Sequence, residues 1–172
     1  KRAKIYFGTD GIRGVVDSEL TEDLAYSTGN ALCQLKENPK VIIGRDTRPS
    51  GEKISKAIIQ GLINGGAEVF NVGIVPTSAI SYLTKKLGLD YGIVITASHN
   101  PKEYNGIKVF GNSGVKITDA EEIKIESKLK SEISSPGGKV LNLSAEVKAY
   151  EEFLKNSIKT NKKKKKILLD CA

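Results

Sequence analysis

Within six residues, Thr96-Ala97-Ser98-His99-Asn100-Pro101, the chain places two hydroxyls, an imidazole and an amide, then closes on a proline. A hydroxyl set among cationic side chains suits phosphate, held as an anion or carried on the oxygen. Lys108 follows on the next expected strand and reaches back toward this loop if the intervening segment folds over it. Arg13, in Gly11-Ile12-Arg13-Gly14, is placed for presentation to an anion by a tight turn, and an ordinary exposed arginine fits the same pattern. His99 is the single histidine. As the immediate neighbour of Ser98 it is better placed to orient that residue than to take its proton. A further loop, Gly44-Arg45-Asp46-Thr47-Arg48-Pro49-Ser50-Gly51, adds two guanidiniums and a carboxylate. Ser, Asn and Pro also make turns, so by residue type alone a purely structural loop stays open.

These segments need a scaffold, and the periodicity supplies one. Thr21 to Lys36 has helical apolar spacing, with Thr21 as N-cap and Glu22 and Asp23 in the first turn. Val41-Ile42-Ile43 is a β-branched run suited to a strand covered on both faces. Helices follow over 51–64 and 77–86, and strands over 68–71 and 91–95. This alternation predicts an α/β fold, a three-layer α/β/α domain with a mostly parallel mixed sheet. After Ile95 the order changes to a hairpin, with strands over 106–110 and 115–117 around Gly111-Asn112-Ser113-Gly114. Helical spacing returns over 119–133 and again over 144–158. In such a sheet ligands gather at the carboxyl ends of the strands, where the loops after Ile43, Asn71 and Ile95 lie. Gly8 to Gly14 reads as a fourth polar segment.

Composition narrows the classes. Net charge is +7, and Lys162 to Lys166 carries five of those charges, leaving 7 − 5 = +2 for the rest. With no aromatic residue interleaved, the run reads as a solvated linker, and no nucleic-acid partner is expected. Cys33 and Cys171 make no CxxC pair, and no segment is apolar enough to cross a bilayer, so no membrane partner is expected and the cytoplasm is the expected compartment. Walker, dinucleotide, zinc-protease and nucleophile-elbow motifs are absent. Asp10, Asp46 and Asp90 show no spacing that would cage a metal.

Taken together, three segments in order resemble the phosphohexomutases, the α-D-phosphohexomutase superfamily. They are Phe7-Gly8-Thr9-Asp10-Gly11-Ile12-Arg13-Gly14, then Gly44 to Gly51, then Gly92-Ile93-Val94-Ile95-Thr96-Ala97-Ser98-His99-Asn100-Pro101 with Tyr104-Asn105-Gly106-Ile107-Lys108 behind it. The resemblance is strong over residues 4–135. It implies the first of four domains over 1–160, then a lysine-rich linker and a truncated first strand of the next domain over 161–172. Domains II to IV of the same chain, with the metal-binding aspartates and the sugar and terminal-phosphate loops, are then expected elsewhere, and the fragment alone is expected to be inactive.

The resemblance further implies a phosphoserine at Ser98 that exchanges its phosphoryl group with a hexose monophosphate through a bisphosphate. Arg13, Lys108 and a magnesium ion on the Ser98 phosphate oxygen would support the transfer, with hexose 1,6-bisphosphate as the phosphorylating activator. His99 and Asn100 would position the loop, and Arg45, Asp46 and Arg48 would support it from behind. The opening motif looks most like phosphoglucosamine mutases, whereas Lys102-Glu103-Tyr104-Asn105 is closer to phosphoglucomutase and phosphomannomutase relatives. A non-catalytic module that holds a phosphorylated ligand in the same loops is the alternative from a different class.

Overall fold

The computed structural model describes residues 4–158 and 166–170. Thr21 opens helix α1 (Glu22–Leu35) by accepting the Leu24 amide on its hydroxyl at 3.1 Å. Strand β3 (Lys40–Arg45) follows, then α2 (Gly51–Asn64), β4 (Glu68–Ile74), α3 (Thr77–Lys86) and β5 (Tyr91–Ile95). Ahead of them two short strands form, β1 (Phe7–Gly8) and β2 (Gly11–Val15); behind them come β6 (Tyr104–Gly111), α4 (Asp119–Lys128), β7 (Lys139–Asn142), a 3-10 turn at Ser144–Glu146, and α5 (Val147–Ser157).

The strands make one seven-stranded sheet in the order β1-β2-β6-β5-β3-β4-β7. Strands β2, β3, β4, β5 and β7 run one way and β1 and β6 the other, so five of seven are aligned and the sheet is mixed. Helices α1 and α2 cover one face over a core that includes Leu32, Ile43, Ile58, Ile93 and Ile107. The opposite face buries Ile42, Ile80, Leu83 and Val94 beneath α3 and α5. The covering helices can lie close because α1 and α2 cross on glycine. A Cβ on Gly61 would stand 2.0 Å from the Tyr26 carbonyl oxygen, and one on Gly29 2.3 Å from that of Ile58.

Several expected elements change in extent: the strand expected over 68–71 runs on to Ile74, and the helix expected over 144–158 opens as a 3-10 turn before α5. The hairpin after β5 does turn back, but its return arm is reduced to one bridge between Phe110 and Lys116. Strand β2 already pairs with Tyr104 to Ile107 on that edge, so only the far end of β6 is open to the returning chain. The helix expected over 119–133 stops at Lys128, because buried Asn30 on α1 takes both backbone groups of Ile133, accepting its amide at 3.0 Å and donating to its carbonyl at 2.8 Å. The polar segment Gly8 to Gly14 becomes β1 and β2, and β7 adds an edge that the spacing did not announce. Over Lys166–Asp170 no strand forms. Lys162 to Lys165, with Cys171 and Ala172, lie outside the described residues.

Burial sets the chemistry of Cys33. Its thiol lies against the Leu62 carbonyl, and desolvation pushes its pKa up to about 11. The unfolded thiol ionises first, near 9, so the stabilisation from keeping it protonated is complete below that pH and is lost as pH rises toward 11. Iodoacetamide at pH 8 should leave Cys33 unmodified in the folded chain and alkylate it in urea, as read by peptide mapping. Equal labelling in both states would contradict this burial.

Candidate active site

Parallel pairing of β3 with β5 brings the loops that leave their carboxyl ends side by side, and the Asp46 amide donates to the Ile95 carbonyl at 3.0 Å. Between them a largely enclosed guanidinium gathers the serine loop. Arg48, its side chain 11% exposed, donates from Nη2 to the carbonyls of Ser98 (2.9 Å) and Asn100 (2.7 Å), and from Nη1 to those of Pro101 (2.7 Å) and Tyr104 (3.1 Å). Its Nε rests on Asp46 Oδ2 at 3.1 Å, and its own amide donates to Asp46 Oδ1 at 3.1 Å. The planar fork of arginine lets one side chain bind four carbonyls spread from the serine loop to the start of β6. The consequence is a fixed loop whose tip, Ser98, is exposed and sits at φ +60°, a left-handed conformation that a serine rarely adopts.

Ser98 Oγ lies 3.4 Å from His99 Nδ1, too long for a base poised to take its proton, and both side chains are exposed. Asn100 contributes its backbone, donating from its amide to the Ala97 carbonyl at 3.1 Å and accepting from Arg48. Arg45 donates to the Asp46 carbonyl at 3.2 Å and packs its stem where a Cβ on Gly51 would stand.

The remaining cations come from the antiparallel half of the sheet. Arg13 on β2 sits opposite Gly106 on β6, and the Gly106 carbonyl accepts the Thr96 amide at 3.0 Å, so Arg13, Gly106 and Thr96 form one row across the sheet. A Cβ at Gly106 would lie 3.0 Å from Arg13 Cγ and 2.6 Å from the Thr96 carbonyl oxygen. Glycine there is what lets the arginine stem cross the strand toward the loop. Arg13 Nη2 donates to Asp10 Oδ2 at 2.9 Å, while its buried Nε has no protein partner among the described residues. Lys108 sits opposite Val94, on the same face of β6 as Gly106, half-buried and with no ion pair among the described residues. Neither Arg13 nor Lys108 hydrogen-bonds to Ser98, so the exposed serine hydroxyl keeps only its contact to His99, while Arg13, partly used by Asp10, retains a free Nε and Lys108 makes no ion pair among the described residues.

Two groups had no role from sequence reasoning. Thr96 bridges the Ser98 amide to Asp46, and buried Asn105 donates to Ser50 Oγ at 2.9 Å, tying β6 to the start of α2. Thr96 was visible only as one of two loop hydroxyls, and nothing in the spacing distinguished Asn105.

Magnesium finds a partial fit. Among the described residues no group of three or more His, Cys, Asp or Glu side chains could hold a metal ion. Asp10 is spent on Arg13, and Asp46 on Arg48 and Thr96. Ser98 would therefore supply an oxygen from this loop, and among the described residues no carboxylate cluster stands ready to complete the ligand set.

Residues 4–135 match the model of the phosphoglucomutase/phosphomannomutase α/β/α domain I. The chain belongs to this family. It is 46% identical to the phosphoglucosamine mutase of Clostridium kluyveri, over 96% of its own length and 40% of that relative's. It is equally similar, at 46%, to the phosphoglucosamine mutase of Clostridioides difficile, over 97% of this chain and 40% of the other. Among solved structures, a phosphoglucomutase/phosphomannomutase family protein from Burkholderia thailandensis superimposes with a TM-score of 0.77 at 29% identity, covering 90% of this chain and 36% of that one. The chain thus spans about 40% of the length of the curated family members it matches. The α/β/α domain expected from the periodicity is the family's first domain. No helix among the described residues is long and apolar enough to cross a membrane.

Proposed function

We infer that the protein to which this chain belongs is a phosphohexomutase that interconverts hexose 6-phosphate and hexose 1-phosphate through a phosphoserine at Ser98. The observation that carries this reading is the exposed Ser98 hydroxyl, held at φ +60° by Arg48 beside cations that no carboxylate fully occupies. A phosphoryl group in transit needs a fixed oxygen and positive charge around a loose, anionic transition state. Arg13 and Lys108 supply that charge from β2 and β6.

In the first half-reaction the Ser98 Oγ–P bond breaks and a new P–O bond forms to a free hydroxyl of the sugar monophosphate. Lys108 gives a proton to the departing Ser98 Oγ and takes the sugar hydroxyl proton in its place, so the serine hydroxyl is restored, the lysine stays cationic, and the product is a hexose 1,6-bisphosphate. In the second half the other phosphate of the turned intermediate returns to Ser98, so no phosphate is lost to water. His99 and Asn100 shape the loop, and Arg45, Asp46 and Arg48 support it. Bound magnesium would neutralise charge on the transferring group, with the Ser98 phosphate oxygen as one ligand. The sugar, the carboxylate ligands of the metal and the distal phosphate are assigned to domains II to IV, and the protein to the cytoplasm.

Glucosamine phosphate is the proposed substrate, which accords with the names of the curated relatives at 46% identity. Parallel assays of the full-length protein with glucosamine, glucose and mannose 6-phosphates test this. The expected result is a kcat/KM for glucosamine 6-phosphate at least about tenfold above the other two, equivalent to roughly 1.4 kcal/mol of transition-state discrimination. A preference of that size for glucose or mannose would overturn the assignment of the sugar.

A further inference from the structure

Ser98 is the one non-glycine site residue with a positive φ, and its backbone is held on both sides. On the carbonyl side Arg48 Nη2 donates at 2.9 Å. On the amide side Ser98 N–H donates to Thr96 Oγ1 at 2.9 Å, and the Thr96 hydroxyl, with its lone pair so used, donates its own proton to Asp46 Oδ2 at 2.7 Å. Asp46 Oδ2 is also the atom on which Arg48 Nε rests at 3.1 Å. The four residues therefore close a ring: Ser98 N–H donates to Thr96, Thr96 donates to Asp46, and Arg48 donates both to Asp46 and to the Ser98 carbonyl. The Ser98 amide can only donate to Thr96, which leaves the Thr96 hydroxyl proton for the Asp46 carboxylate, so every direction in the ring is fixed.

We propose that Thr96 is a positioning residue of the phosphoryl transfer, acting through its Oγ1 to hold the Ser98 backbone in the left-handed conformation from which Oγ is presented. This rests on the phosphoserine reading above and adds a residue to it. The ring has two chemical consequences. A left-handed serine is strained and relaxes unless its surroundings over-determine it. With the Ser98 amide spent on Thr96, a phosphate on Oγ takes no hydrogen bond from its own backbone, which leaves the migrating group to Arg13 and Lys108 and lets it depart without breaking an amide contact. Thr96 is itself buried, its own amide fixed to Gly106 at 3.0 Å, so its hydroxyl is not free to choose another partner. Valine at this position keeps the branched shape and the β preference while removing both hydrogen bonds; serine keeps both.

The test uses the full-length protein as wild type, Thr96→Val and Thr96→Ser. Three readouts are taken: kcat and KM for hexose phosphate, the rate at which hexose 1,6-bisphosphate phosphorylates Ser98 by rapid-quench intact mass, and hydrogen exchange at the Ser98 amide. T96V is expected to lose about tenfold in kcat and in the phosphorylation rate, with KM within about threefold, since substrate contacts are intact and only the attacking geometry is lost. T96S is expected to restore both rates, and the Ser98 amide to exchange faster in T96V than in the other two. Overturning results are wild-type rates in T96V, a loss confined to KM, an equal loss in T96S, or an unchanged amide exchange. If wild type itself takes no phosphate on Ser98, the phosphoserine reading fails first, and this role for Thr96 with it.

Discussion

Replacing Ser98 by alanine in the full-length protein is expected to lower mutase turnover by at least about a thousandfold, because no other oxygen in the loop can carry the phosphoryl group. The Thr96 hydroxyl is buried in hydrogen bonds to Ser98 and Asp46, so it cannot substitute. Folding should be little affected. The Ser98 side chain is exposed, and its hydroxyl makes only the 3.4 Å contact to His99, while its clamped carbonyl and amide remain in alanine. The left-handed φ costs alanine somewhat more than serine, by a fraction of the roughly 1–2 kcal/mol typical of that region. Steady-state assay and urea unfolding in parallel check both halves. A turnover within tenfold of wild type would remove Ser98 from the reaction.

Arg48→Met should show the second large effect, and of a different kind. The variant keeps the length of the stem and removes a guanidinium that binds four loop carbonyls and Asp46. Each charge-assisted bond contributes about 1.5–3 kcal/mol in isolation, but bonds sharing one side chain do not add. A net loss of about 3 kcal/mol in unfolding free energy is expected, much of it from leaving Asp46 without its cation. Turnover should fall about a hundredfold, since a serine displaced by even an ångström loses alignment with the incoming sugar. Arg48→Lys should recover little, because a single ammonium cannot span four acceptors. Stability and turnover within about threefold of wild type in R48M would show that the loop holds its shape without the clamp.

Much of the scaffold was legible because local and tertiary preferences agree. Helices over 51–64 and 77–86 and the strand over 91–95 fall where their spacing placed them. The antiparallel edge was not legible. Phe7 to Val15 is short and rich in glycine, and it becomes two strands only because β6 lies alongside to pair with it. Strand β7, exposed along its whole length, has no apolar alternation to reveal it and is defined by its pairing with β4. The end of α4 was set by Asn30, a residue 103 positions away from the Ile133 it binds. The site divides in the same way. Ser98 stood out by its neighbours in sequence, whereas Arg48 reaches carbonyls 50 to 56 residues ahead, and the part Thr96 plays depends on Asp46, 50 residues behind it. Such contacts follow from the adjacency of β3 and β5, which spacing within a single loop does not contain.

In this mechanism a single oxygen, Ser98 Oγ, carries the phosphoryl group between the two half-reactions. Incubating the full-length protein with glucosamine or glucose 1,6-bisphosphate, then measuring intact mass and mapping the modified peptide, tests it most directly. The expected result is one phosphoryl group per chain on Ser98, absent from S98A and discharged when hexose monophosphate is added. A protein that turns over substrate while Ser98 stays unmodified, or that carries the phosphate on another residue, would contradict it.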